Sequence, residues 1–267
     1  MPFLMPTLMI NPRNFFANLD WRGSRGFSSL HFLPLMLLLL AGISQPSIAQ
    51  QITVTGKLEL LRKDSTTDKD ASFGVVWLTR IGNPGEPAPT NGAPRQQLVQ
   101  KNKSFNPHLV VVQVGSSVAF PNKDSFFHNV FSLFDGKRFD LGLYEAGSSR
   151  AVVFDREGIS YIFCNIHPEM SAVVVSLKTP YYGISDARGA VSIADVPPGR
   201  YELHVWHERA IPESLDALAR TISIGDAAHS LGTLRVAQQP TAPQPHKNKY
   251  GQDYESASPS DPLYPHP

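Results

Sequence analysis

A single cysteine, Cys164, closes an alternating apolar stretch, with an imidazole three residues on at His167 and a thioether three further on at Met170. Three soft or borderline donors this close together can converge only if the chain turns back tightly straight after the cysteine. Whatever the fold, it must present Cys164 at the mouth of a short loop, and a further donor has to arrive from a remote segment. His128 is the obvious supplier. The rest of the chain must then be a scaffold that lays these two segments side by side.

The surrounding pattern is one of short strands. Ile52, Val54, Leu58 and Leu60 alternate with polar neighbours, and 73–78 is a second apolar run. Further strands are expected at 109–114, 118–120, 128–133, 151–154, 159–163 and 172–177, then at 181–185, 190–193, 200–206, 221–224 and 232–236. Gly, Pro, Asn and Asp punctuate them, and only 212–219 suggests a short helix. The fold class is therefore all-β. A Pro- and Gly-rich stretch at 83–94 and a second break at Lys178-Thr179-Pro180 bracket a unit at 97–177 that holds every candidate ligand.

At 267 residues and 42% hydrophobic, the chain has material for one or two cores, which excludes wholesale disorder. Residues 1–49 read as an export leader: Arg13, Arg22 and Arg25 precede an apolar run at 33–43, and Ser47-Ile48-Ala49 supplies a small-x-small cleavage signal. The run is too short to span a bilayer, so no membrane span is expected after cleavage. Removing the leader takes a net +2 from a total of +1 and leaves about −1. No basic field remains to attract nucleic acid. From residue 237 the composition turns to Pro, Gln, Ser and Asn, and a disordered tail is expected at 237–267.

An exported protein with one cysteine cannot staple itself internally, and metal coordination is the natural holder for that thiol. A thiolate, two imidazoles and a weak axial thioether form the donor set of a trigonal blue-copper site, here Cys164, His128, His167 and Met170 around one ion cycling between Cu(I) and Cu(II). Zinc fits less well, because structural zinc favours Cys and His without Met. With all four positions filled by protein, no substrate reaches the metal. Neither a His-x-His pair nor a Gly-x-Ser-x-Gly elbow points to an enzyme. His204 and His207 lie three apart on a predicted strand and face opposite ways. His108, His229, His246 and His266 are assigned structural or solvent roles.

These residues resemble the cupredoxin family. The run Phe105-x-Pro107, 110–114, Gly115, Val118, Phe120, Asn122, Asp124, His128, Asn129 and Val130 is similar to the first half of a minimal cupredoxin. Gly158, Tyr161, Phe163, Cys164, His167 and Met170 are similar to its second half. The Cys-x2-His-x2-Met spacing resembles amicyanin, although Asn165-Ile166 stands where many members place a proline before the histidine. The resemblance implies that the Asn129 side chain ties the two ligand segments together. It also implies that Pro168 and Glu169 form a rim where a redox partner, such as a c-type cytochrome or a periplasmic dehydrogenase, approaches His167. More narrowly, Val205-Trp-His-Glu208 together with these motifs resembles exported proteins called methylamine utilisation proteins, a name that reports kinship and no tested activity.

The flanks resemble a second family, the transthyretin-like or carboxypeptidase-regulatory sandwich, through Val54-Thr-Gly56, Val75-Val-Trp-Leu78, Asp186-Ala-Arg-Gly189, Pro197-Pro-Gly-Arg-Tyr201 and Leu234-Arg-Val236. The expected architecture is a leader at 1–49, first sandwich strands and linker at 50–96, a Greek-key cupredoxin at 97–177 inserted in that sandwich, and its remainder at 178–236. The expected function is a periplasmic carrier of single electrons. Copper storage or delivery, or a partner- or carbohydrate-binding sandwich with an ancillary copper site, are the alternatives.

Overall fold

A strand that is apolar at every position has to be covered on both faces. Leu109, Val110, Val111 and Val112 form one such run, and Ala172, Val173, Val174 and Val175 another. The computed structural model, which describes residues 52–82, 96–133, 136–225, 227, 229–239 and 246–254, shows what covers them. The expected leader and the whole of the 83–94 linker lie outside the described residues.

The elements run β1 (Ile52–Leu61), β2 (Val75–Arg80), β3 (Gln96–Gln97), β4 (Val99–Gln100), β5 (Phe105–Asn106), β6 (Leu109–Gln113), β7 (Ser117–Pro121), β8 (His128–Ser132) and β9 (Phe139–Tyr144). They continue as β10 (Ser149–Val153), β11 (Gly158–Cys164), β12 (Ser171–Leu177), β13 (Tyr182–Ile184), β14 (Ala190–Val196), β15 (Gly199–Trp206), α1 (Pro212–Asp216), β16 (Arg220–Ile224) and β17 (His229–Ala237). The protein is an all-β sandwich assembly. Its sheets have the orders β14-β1-β17, β13-β2-β15-β16, β6-β12-β11-β8-β9 and β10-β7-β3, with β4 and β5 as a separate pair.

Three cores lie between these four sheets. The first joins β1, β14 and β17 to β2, β15 and β16 through Val54, Leu58, Leu78, Ile193, Tyr201, Leu203 and Leu234. The second lies between the five-stranded sheet and β7 and β10, with Val110, Val112, Phe120, Phe154, Ile162 and Val174. Between them runs a seam of Val75, Leu109, Val111, Val173, Val175, Leu177 and Trp206. Successive side chains of β6 and β12 thus enter different cores, as the two-residue period requires.

β1 and β2 pair only with β13 to β17, never with the strands of 97–177. The turn between β13 and β14, which lies against Leu58 of β1, shows why its glycine is needed. Gly189 has φ +79° and a Cβ there would fall 1.9 Å from Leu58 O, while Asp186 accepts the amides of Arg188 and Ala190.

The sequence reading contains no strand at 139–144, yet β9 pairs with β8 along that length. Its alternation of Phe139, Leu141 and Leu143 is interrupted by Gly142 at φ +65°, and the register shifts between Asn129 and Phe131. A bulge of this kind masks the periodicity by which strands are found. The expected helix at 212–219 is shorter, Pro212–Asp216.

Candidate metal centre

β11 and β12 form a hairpin whose connection is residues 165–170. The Met170 amide donates to His167 O (3.1 Å) and the Cys164 amide to Met170 O (3.3 Å), so the chain doubles back and returns His167 to the cysteine. On the other side of β11 runs β8, antiparallel, with Cys164 opposite Val130. The Asn165 amide extends that ladder to Asn129 O (2.8 Å). Because side chains alternate, His128 shares the face of Val130, which lines the same core as Cys164.

The result is a triangle of donors. Cys164 Sγ is 3.6 Å from His128 Nδ1 and 3.6 Å from His167 Nδ1, and the three donor atoms lie within 4.8 Å of one another. Sulfur and nitrogen bound to one ion at about 2.3 and about 2.0 Å, in tetrahedral or trigonal directions, stand about 3.6 Å apart. The separations of Cys164 from the two imidazoles therefore suit a single ion held by these three residues. Cys164 and His128 are fully buried and His167 is 6% exposed. The Phe126 ring flanks both imidazoles at 5.2 and 5.4 Å.

Asp124 was not singled out as a site residue from the sequence, and it sets the orientation of His128. Its Oδ2 lies 2.9 Å from His128 Nε2. An ionised carboxylate only accepts, so Nε2 carries the proton and the Nδ1 lone pair faces the sulfur. Asp124 is itself held by the amides of Asn102 (2.6 Å) and Lys103 (3.1 Å). The loop spacing of Asp124 and His128 carries no periodic signal, which is why the sequence is silent about this role.

Burial holds the His128 imidazole below its ordinary value despite Asp124. Burial, reinforced by His128, takes His167 down to about 4. Both rings are thus neutral, the form that binds metals. Burial also pushes the Cys164 thiol up, against hydrogen bonds from the amides of Asn129, Ile166 and His167. At Asp124 burial opposes ionisation, but bonds from His128 and from the Lys103 and Asn102 amides outweigh it and lower its pKa.

Met170 is wholly buried in the core that holds Cys164 and Tyr144. Pro168 and Glu169 are exposed beside buried His167. Asn129 departs from expectation. Its side chain donates to Asp140 Oδ1 (2.6 Å) on β9, and the tie between the ligand segments runs through its backbone carbonyl. Being next to His128 on a strand, Asn129 points to the opposite face.

Among the other histidines, His108 pairs with Glu208 (2.7 Å), His204 stacks on Trp77 (5.1 Å) and His207 Nε2 meets Ser72 O (3.0 Å). His266 lies outside the described residues. Part of the expected disordered tail is instead docked. The His246 ring stacks on Phe163 at 4.1 Å, the Lys249 amide donates to Asn165 Oδ1 (2.8 Å) and Tyr254 Oη donates to Cys164 O (2.7 Å). Composition concealed this because backbone amides and isolated rings, not an apolar run, make the contacts.

No helix among the described residues is long and apolar enough to cross a membrane. No protein-family model and no curated protein sequence matches the chain. Among solved structures, a purple cupredoxin from Nitrosopumilus maritimus is similar at 25% identity over 30% of this chain and 98% of that one, with a TM-score of 0.28. Amicyanin from Paracoccus versutus is similar at 20% identity over 37% of this chain and 96% of that one, with a TM-score of 0.29. A copper-containing nitrite reductase from Thermus scotoductus SA-01 is similar at 19% identity over 37% of this chain and 25% of that one, with a TM-score of 0.31.

Proposed function

We propose that this chain is an exported type 1 copper protein that carries single electrons between redox partners in the periplasm. The observation that supports this reading is the buried triangle in which Cys164 Sγ stands 3.6 Å from Nδ1 of both His128 and His167. In this reading Met170, buried in the same core as Cys164, would supply the fourth donor. When bound, copper supplies a centre that takes up and gives back one electron. Everything else is done by the chain. Asp124 holds the His128 ring in one tautomer, the β8–β11 ladder fixes the distance between the two ligand segments, and Phe126 flanks both imidazoles. Donors held in advance by a rigid scaffold need move little when the charge on the ion changes.

With four protein donors no coordination position is left for a substrate, so the reading is a carrier and not an enzyme. The exposed Pro168 and Glu169 next to His167 provide the approach for a partner such as a c-type cytochrome or a periplasmic dehydrogenase. The flanking sandwich, transthyretin-like in this reading, supports the carrier.

Cu(II) added to mature protein should give an intense visible thiolate-to-copper band, with a matching type 1 EPR signal. Cys164→Ser should abolish both. A colourless wild type, or a band indifferent to the substitution, would sink the proposal, and tight binding of Cu(I) alone would favour storage or delivery.

A further inference from the structure

The segment 246–254 touches three consecutive residues of the ligand strand and loop. The His246 ring lies on Phe163 with the planes 23° apart, Tyr254 Oη reaches Cys164 O, and the Lys249 amide reaches Asn165 Oδ1. A phenol has one proton, and at 2.7 Å it goes to the Cys164 carbonyl. The His246 Nδ1 proton faces two acceptors, Lys247 O at 3.0 Å and Tyr254 Oη at 3.2 Å, so the imidazole is the donor on that side and the phenol proton is left for the cysteine backbone. The same segment reaches the other ligand strand. Lys249 Nζ pairs with Asp140 Oδ2 (2.8 Å), whose second oxygen holds the side chain of Asn129, the neighbour of His128.

We infer that residues 246–254 are a working part of the metal centre, in which Tyr254 and His246 are positioning residues that hold the Cys164 loop in its ligand geometry. The inference rests on the copper reading for its consequence at the ion, but the positioning itself belongs to the metal-free chain. Contacts around a ligand orient its donor and tune the metal, and their loss typically weakens binding 10–100-fold. The conservative probe is Tyr254→Phe, which keeps the ring against His246 and removes only the hydroxyl. A chain ending at Gln239 removes the whole segment while retaining the bonds of Gln238 and Gln239 to Leu61 and Arg209.

Two measurements test the idea on mature protein. In the metal-free state, the rate at which dithionitrobenzoate modifies Cys164 should rise about fivefold in Tyr254→Phe, the factor for one hydrogen bond, and further in the truncated chain. In the copper-loaded state, Tyr254→Phe should shift the reduction potential and the thiolate band, and Tyr254→Ala should shift them more. An unchanged thiol reaction rate, potential and band in both Tyr254→Phe and the truncated chain would overturn the inference and leave the copper proposal standing. A faster thiol reaction in a protein whose intact form shows no thiolate-to-copper band would uphold the positioning role and overturn the copper reading. Should the truncated chain fail to fold, Tyr254→Phe decides alone.

Discussion

The sandwich of 97–177 and the sandwich that flanks it use the same short strands and polar turns, but they fill their interiors differently. Between β1 and β2 the core is aliphatic apart from Tyr201, whose hydroxyl reaches Pro197 O. Of the thirteen buried polar residues among those described, nine lie in 97–177: Gln100, Asn122, Asp124, His128, Asn129, Ser132, Ser160, His167 and Ser176. Burying such groups is unfavourable unless each finds a partner. A cluster that includes two neutral imidazoles and a thiol within reach of each other is therefore a feature that stability alone does not explain. One sandwich has an almost wholly aliphatic core, and the other gives up hydrocarbon at one end of its core for donor atoms.

The contrast can be broken from the supporting side first. Leu203→Ala, at a fully buried position of the aliphatic core, should lower stability by about 2–5 kcal/mol, read by denaturant unfolding. The copper band of the folded variant should remain. A band lost under native conditions would mean that the seam of Val75, Val173 and Trp206 couples the halves so tightly that neither is a mere support.

Copper addition is the reverse test. If the proposed centre binds copper, the half that holds Cys164 should gain about 4 kcal/mol of stability at a thousandfold excess over Kd, seen as a higher melting temperature that chelator removes. Next, Asp124→Asn should weaken copper binding by about 10–100-fold in a chelator competition, with the flanking core unaffected. An unchanged affinity would show that the strand register alone orients His128.

The smallest effect concerns the ion pair that crosses from one half to the other, His108 with Glu208. The hydrogen bond to Glu208, opposed by burial, raises the His108 pKa above 6.5. A raised histidine pKa contributes stability that is complete below the unfolded value of about 6.5 and is lost as pH rises through the higher folded value. Both side chains are partly exposed, so the loss should be at most about 1 kcal/mol. Glu208→Gln should flatten this slope, and an unchanged slope would assign it elsewhere.

What was legible follows from how each feature is encoded. The apolar runs of β6 and β12 announce strands covered on both faces, and the spacing of Cys164 and His167 announces a tight turn that brings the two side chains together. His128 was legible because its donor type has few rivals upstream. Asp124 was not, because a carboxylate on a loop has no period and its partner is identified only by the fold. β9 was hidden by Gly142 and the bulge opposite it. The direction of the Asn129 side chain depends on strand register, and the docking of 246–254 depends on single contacts to residues some eighty positions away. Local pattern carries the scaffold and the candidate donors, and long-range pairing carries the parts that aim them.

β1 and β17, the first and last of the described strands, lie side by side and parallel. A chain delivered from its N-terminal end brings β1 out early and leaves one of its edges bare until almost everything else has followed. The strands of 97–177 find their partners within their own stretch, so they can close while β1 still waits, and their closure brings the distant ends of the outer sheet together. Assembly is thus expected to proceed from the inside outward. A chain stopped short of β17 should collect in a protease-sensitive form whose inner sandwich is already complete.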